Sequence, residues 1–218
     1  NIKDIQKTFA YCYFDSPKTD KMFSQLTSNP NINYSRYNFF HLNYLISKNN
    51  KEKIKKIFKS TLNQHPKNLM LNQLKLDVEK MKEFSNKFDC KQPADVIAEI
   101  FYVTSNALAQ QNNYVASNFY LNLAKHLNPN FVSYDILYAE NFLLIGEYDE
   151  AKKIYTKTKK MGSIYNWYSS KKIASILFKQ DKKQDSLDNL EKMFEKITNP
   201  TINEIFDYAE FLKNNEKY

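Results

Sequence analysis

The chain has 218 residues, of which 42% are hydrophobic and 15% aromatic, with a formal net charge of +8. That apolar content excludes wholesale disorder, and two Gly with six Pro exclude a many-stranded β protein, whose hairpins would need both residue types at most turns. No apolar run approaches the roughly 20 residues of a membrane span, and the only two cysteines, Cys12 and Cys90, stand far apart without metal-ligand spacing, so they are expected to be free, buried thiols.

The charge is uneven. Residues 1–100 hold 17 Lys/Arg against 10 Asp/Glu and the rest 15 against 14, so composition by itself gives only weak support to an anionic partner such as nucleic acid. No signal peptide is visible. The chain starts at Asn1, however, so a leader would be missing from it, and the compartment, cytoplasmic or periplasmic, stays open.

Taken in order, the chain reads as helix pairs. Asp4–Phe14 is a helix stopped by Asp15-Ser16-Pro17, because Pro cannot continue a helix but suits the start of the next. Thr19–Leu26 follows and ends before Ser28-Asn29-Pro30. A second pair opens at Ser35, turns at Asn49-Asn50, buries Ile54, Ile57, Phe58 and Leu62, and closes at His65-Pro66. Leu69 to Phe84 has helical content, but its expected partner is replaced by the polar stretch Lys87–Gln92. Pro93 then precedes a strong helix start. Beyond it the pairs are regular: Val96–Gln110 with Tyr114–Leu127, Val132–Ile145 with Tyr148–Lys160, and Trp167–Gln180 with Gln184–Ile197. Ile202–Lys213 is a lone first helix.

The pairs share a register. Small or medium residues recur twelve apart at Ala10/Met22, Leu42/Ile54, Ser105/Ser117, Ala139/Ala151 and Ala174/Ser186, and Leu26, Phe58, Leu121, Tyr155 and Leu190 follow four later. Twelve residues span one helix, a short turn and the start of the next, so two antiparallel helices cross closely where the side chains are small. Counting Ala139 as position 8, position 15 is Asn49, Asn112, Gly146 and Asp181, the residue types that tolerate left-handed backbone at a helix end. The phrase AENFLLIGEY at Ala139 returns as AEFLKNNEKY at Ala209, and its period breaks off at Tyr218, so the array is expected to continue. A fixed period of about 34 residues built of helix pairs is an α-solenoid. Two regions are expected: 1–93, divergent helical repeats with a break near 85–93, and 94–218, regular repeats truncated at their C-terminal end.

Gly146-Glu147-Tyr148-Asp149-Glu150-Ala151 and Tyr114, Ser117, Leu121, Ala124 and Pro129 resemble the tetratricopeptide repeat, closely over Ala98–Tyr155 and faintly over the first unit. Ala98-Glu99-Ile100-Phe101-Tyr102 is also similar to uncharacterised bacterial proteins with divergent repeats of this kind. The departures are Ser in place of Ala at 105, 117 and 186, and the broken third unit. The resemblance implies an all-α right-handed superhelix whose first helices line a groove for a peptide, a helix or a partner subunit. The groove positions it implies include Glu99, Tyr102 and Asn106, then Ile136, Glu140 and Leu143, then Lys171 and Ser175, and finally Phe206 and Glu210. The Lys/Asn pair with which chaperone-binding members hold a terminal carboxylate is matched in none of the units.

No enzyme chemistry is expected. Two Gly cannot build a phosphate-binding loop, and His41, His65 and His126 have no partner at ligand spacing, so no cofactor and no metal are implied. A second candidate surface is basic: Lys51, Lys55 and Lys59 crowd one second helix, and Lys152, Lys153, Lys157 and Lys160 another. These faces suit RNA or anionic lipid. Val132-Ser133-Tyr134-Asp135 and Met161-Gly162 have some similarity to pentatricopeptide repeats, which read single-stranded RNA. The sequence thus favours a non-catalytic protein-interaction scaffold, with an RNA-binding helical-repeat protein as the alternative.

Overall fold

The computed structural model describes residues 2–29, 31–82, 84 and 86–215. The expectations placed on Pro30 and Tyr218 lie outside them. Among the described residues every regular element is a helix. The α-helices are α1 (Ile2–Tyr13), α2 (Thr19–Leu26), α3 (Ser35–Ser47), α4 (Lys51–Gln64), α5 (Leu69–Glu79), α6 (Pro93–Gln110), α7 (Tyr114–Leu127), α8 (Val132–Leu144), α9 (Tyr148–Thr158), α10 (Ser163–Lys179), α11 (Lys183–Phe194) and α12 (Ile202–Asn214), and a 3₁₀ turn spans Lys159–Met161. The chain forms two compact units, Asn1–Tyr134 and Asp135–Tyr218, so the division falls inside α8.

The turns repeat one backbone solution. Asn49, Asn112, Gly146 and Asp181 all have positive φ, between 55° and 83°, as position 15 requires. Asp15 and Met81 share the conformation, which extends the register to the first and third units. After each, the next residue's N–H returns to the carbonyl five residues back, at 2.9–3.0 Å: Ser16 to Tyr11, Asn50 to Leu45, Lys82 to Asp77, Asn113 to Leu108, Glu147 to Phe142, and Lys182 to Leu177. This closes carbonyls that a helix end would otherwise leave open. Asn50 and Asn113 then cap the following helix by accepting from the backbone N–H of Lys53 and Ala116.

Behind the turns, the twelve-residue pairs cross as expected in four units. Leu42 with Ile54, Ser105 with Ser117, Ala139 with Ala151, and Ala174 with Ser186 are all buried, as are Leu26, Phe58, Leu121, Tyr155 and Leu190. The serines have a stated job. Ser105 Oγ lies 2.8 Å from Ser117 Oγ, and Ser186 Oγ donates to the Ala174 carbonyl at 2.7 Å, so the close crossing carries a hydrogen bond where alanine would have none. In the first unit the assignment moves. Ala10 is exposed, and the buried pair is Thr8 with Thr19, whose Oγ1 donates to the Tyr11 carbonyl at 2.8 Å. Thr8 and Thr19 stand eleven residues apart, one short of the twelve-residue spacing, so a search at that spacing passes over them.

Helix ends differ little from expectation. α10 begins at Ser163, four residues before Trp167, with the backbone of Gly162 at φ 135° ahead of it, and α5 stops at Glu79 before the left-handed Met81. Residues 86–92, in the stretch expected to break the array, carry no helix and lie inside the first unit. They hold the largest correction. Cys12 and Cys90 are not free thiols but a disulfide, with Cα atoms 5.8 Å apart across a separation of 78 residues. Nothing in their spacing shows that residues 86–92 return to α1.

The core of the first unit is aromatic. Phe9, Phe23, Phe39, Phe40, Phe88 and Phe131 are buried, and Phe40 stacks on Phe88 with centroids 4.0 Å apart. The second unit packs Ala139, Ala151, Tyr155, Ile173, Ile176 and Leu177 into one cluster and Trp167, Ala174 and Leu190 into another.

Candidate partner-binding surface

In the first unit, Arg36 of α3 and Glu99 of α6 meet as a bidentate ion pair, Nε–Oε1 at 2.7 Å and Nη2–Oε2 at 2.5 Å. Their side chains are 14% and 1% exposed, so both charges are out of water. The guanidinium also lies 3.6 Å from the centre of the Tyr102 ring and 4.9 Å from that of Phe131. Burial pushes the Glu99 carboxyl up, while the Arg36 charge and its hydrogen bonds pull it down. Glu99, expected on an open groove, is therefore fully buried because Arg36 reaches it from 63 residues away. Tyr102 is half-buried under Arg36, and Asn106 is half-buried one turn further along α6.

A second pair in this unit is His41 with Asp20, Nε2 to Oδ1 at 2.9 Å, with Lys53 on the other carboxylate oxygen. The ring is 2% exposed and stacks on Phe23. Burial depresses the imidazole below its usual range, although the Asp20 hydrogen bond acts in the opposite direction. The pair ties together α2, α3 and α4. Its partners are 21 residues apart, so ligand spacing along the sequence does not reveal it.

In the second unit the first helices α8, α10 and α12 are laced side by side. Glu140 accepts from Tyr168 Oη at 2.5 Å and lies 3.7 Å from Lys172 Nζ. Burial and the Glu140 charge push the Tyr168 phenol up, so it stays protonated and donates. Asp207 of α12 binds Lys171 and also accepts from Trp167 Nε1 at 3.2 Å. Ile136 and Leu143 are half-buried against the Ala139/Ala151 cluster. Ser175, Phe206 and Glu210 are exposed. Phe206 is 71% exposed, in a strip with Ile202 at 74% and Ile205 at 47%. Ile202 and Ile205 are not among the groove positions that the resemblance implies, but their spacing with Phe206 on one helix is readable from the sequence.

The basic faces differ from each other. Lys51, Lys55 and Lys59 are exposed along α4. On α9 the lysines meet acids: Lys153 with Glu150 at 2.5 Å, Lys152 with Asp149 at 3.8 Å, and Lys157 with Asp135 at 3.8 Å. Lys160 is exposed in the 3₁₀ turn. The acids of the first turn of α9, together with Asp135 of α8, therefore offset much of that face. Among the described residues no group of three His, Cys, Asp or Glu is placed to hold a metal ion, and no helix is long and apolar enough to cross a membrane.

No protein-family model matches the chain, and no curated protein matches it. Among solved structures, it is similar to a tetratricopeptide repeat protein from Parabacteroides merdae, with a TM-score of 0.42 and 15% identity over 99% of this chain and 86% of that one. The all-α helix-pair architecture stands on the chain's own turns and crossings.

Proposed function

We propose that the chain is a non-catalytic scaffold, and that the first-helix surface of the unit Asp135–Tyr218 binds a peptide, a helix or a subunit surface of a partner protein. One observation carries this reading: α12 leaves Ile202, Ile205 and Phe206 solvated on adjacent turns of one face. Side chains at i, i+3 and i+4 form a continuous strip, and an apolar strip left in water favours a partner that covers it. Beside it, Lys171 is already held by Asp207, and Tyr168 and Lys172 by Glu140. Polar groups fixed before binding lose little freedom on contact. Ile136, Leu143, Ser175 and Glu210 complete the surface, whereas Glu99 is committed to Arg36.

The RNA alternative rests on Lys51, Lys55 and Lys59, because the lysines of α9 already face acids. The test is capture of partners from a native lysate on the whole chain, with and without nuclease, compared with Phe206→Asp. A protein set that survives nuclease and is lost with Phe206→Asp, at unchanged helical circular dichroism, is the expected result. Recovery that collapses on nuclease treatment refutes the scaffold reading in favour of RNA.

A further inference from the structure

Residues 86–92 sit against α1 and α3 as a bound peptide would. Lys87, Phe88 and Asp89 carry no regular secondary structure. The Asn128 side chain donates to the Lys87 carbonyl at 2.9 Å, a grip on main chain that is indifferent to the side chain. The next residue, Phe88, inserts its ring between Phe40 at 4.0 Å and Phe9 at 5.5 Å. Lys91 pairs with Asp15 in the turn after α1, at 3.2 Å. Beside the segment runs a cleft of about 520 Å³, lined on the α3 side by Asn43, Tyr44 and Ser47, which the segment leaves unfilled. A main-chain clamp, an aromatic anchor and spare volume alongside are the elements by which grooves recognise extended segments.

We propose that the α1/α3 face is a binding site for an extended peptide with an aromatic side chain, that residues 86–92 occupy it in cis, and that the Cys12–Cys90 bond locks them there. This site is separate from the one proposed on α12 and does not depend on it. A tethered occupant has an effective concentration of the order of millimolar, so an outside peptide competes poorly while the lock is closed. A dithiol opens it. One thiolate of the dithiol attacks the Cys90 sulfur, at 8% exposure the more accessible of the two, and Cys12 leaves as a thiolate and takes up a proton. The second thiol of the dithiol then attacks the mixed disulfide and releases Cys90 as a thiol. Two electrons and two protons pass to the protein, and the dithiol becomes a disulfide.

The probe is a synthetic fluorescent peptide with the sequence of residues 86–93, carrying serine in place of the cysteine, titrated into the whole chain. Expected are no binding to the oxidised chain, binding after reduction with dithiothreitol, and binding at least about tenfold tighter to Phe88→Ala/Cys90→Ser, whose own occupant is weakened. Equal binding to oxidised and reduced chain, or none to a double variant with intact helical circular dichroism, overturns the proposal. Hydrogen exchange of the reduced wild type covers the case in which that variant does not fold. Exchange in 86–92 that rises well above that in α1 and α3 is expected. An equal rise in all three makes the segment an inseparable part of the core and overturns it too.

Discussion

Replacing Arg36 by methionine leaves the Glu99 carboxylate 1% exposed and without the two hydrogen bonds that offset its desolvation. Methionine keeps most of the aliphatic packing, so the loss is electrostatic. Removing one member of a buried pair costs about 3–5 kcal/mol, and the lost contact with the Tyr102 ring adds up to about 2. Glu99 has one escape, which is to bind a proton. Burial already raises its carboxyl above the ordinary carboxylate range, and removing Arg36 raises it further. A carboxyl whose folded pKa lies above its unfolded value binds more protons when folded, so its stability deficit deepens as pH rises through the folded pKa. The Arg36→Met deficit should therefore be largest at pH 7 and shrink toward pH 5. Arg36→Met/Glu99→Leu removes both charges and should return to within about 1 kcal/mol of wild type. Urea unfolding followed by far-UV circular dichroism at both pH values measures all three chains. A single variant that loses less than about 1 kcal/mol, or a double variant as unstable as the single, refutes the reasoning.

Three further outcomes are expected. His41 is held neutral by burial, with Asp20 and Lys53 as its charged neighbours, so unfolding takes up a proton below the ordinary histidine pKa of about 6.5. Stability should fall as pH drops below that value, by at most about 1.4 kcal/mol per pH unit, and His41→Gln should flatten the slope of unfolding free energy between pH 5 and 7.5; an unchanged slope assigns it elsewhere. Met81 is 95% exposed in a left-handed turn with φ 51°, so Met81→Gly removes backbone strain at no cost in packing, and a gain of about 0.5–1 kcal/mol should appear in the same urea assay. Gly146→Ala runs the other way. A Cβ there meets nothing within 4 Å, but φ is +83°, so a loss of about 1 kcal/mol is expected from backbone strain alone; no loss refutes it.

What the sequence made legible was local. Gly146, Asn49, Asn112 and Asp181 marked their turns because left-handed backbone selects residue type directly, and Ala139 with Ala151 marked a crossing because only small side chains fit there. Asp15 and Met81 adopt the same turn but were not marked by it, since the pair Ala10/Met22 placed the first unit's turn elsewhere and methionine is a residue type that the conformation disfavours. Contacts set by the return of 86–92 and by the approach of α3 to α6 were not legible. Cys12–Cys90 spans 78 residues and Arg36–Glu99 spans 63, and no local preference encodes either meeting. The exposed strip of α12 lay between. Phe206 follows from the register, but its solvation depends on α12 turning Tyr208 and Phe211, and not Phe206, toward the Trp167 cluster.

The disulfide also changes how the molecule carries load. In a helical array pulled from its two ends, each repeat can peel away and add its whole length to the extension. Here the bond between Cys12 and Cys90 carries tension past everything between them, so α2 to α5 form a loop that force cannot lengthen. The hidden contour is about 270 Å at the fully extended spacing of a polypeptide. Stretched one molecule at a time, the oxidised chain should stop short of the reduced one by that length, a mechanical stop within the first of its two units.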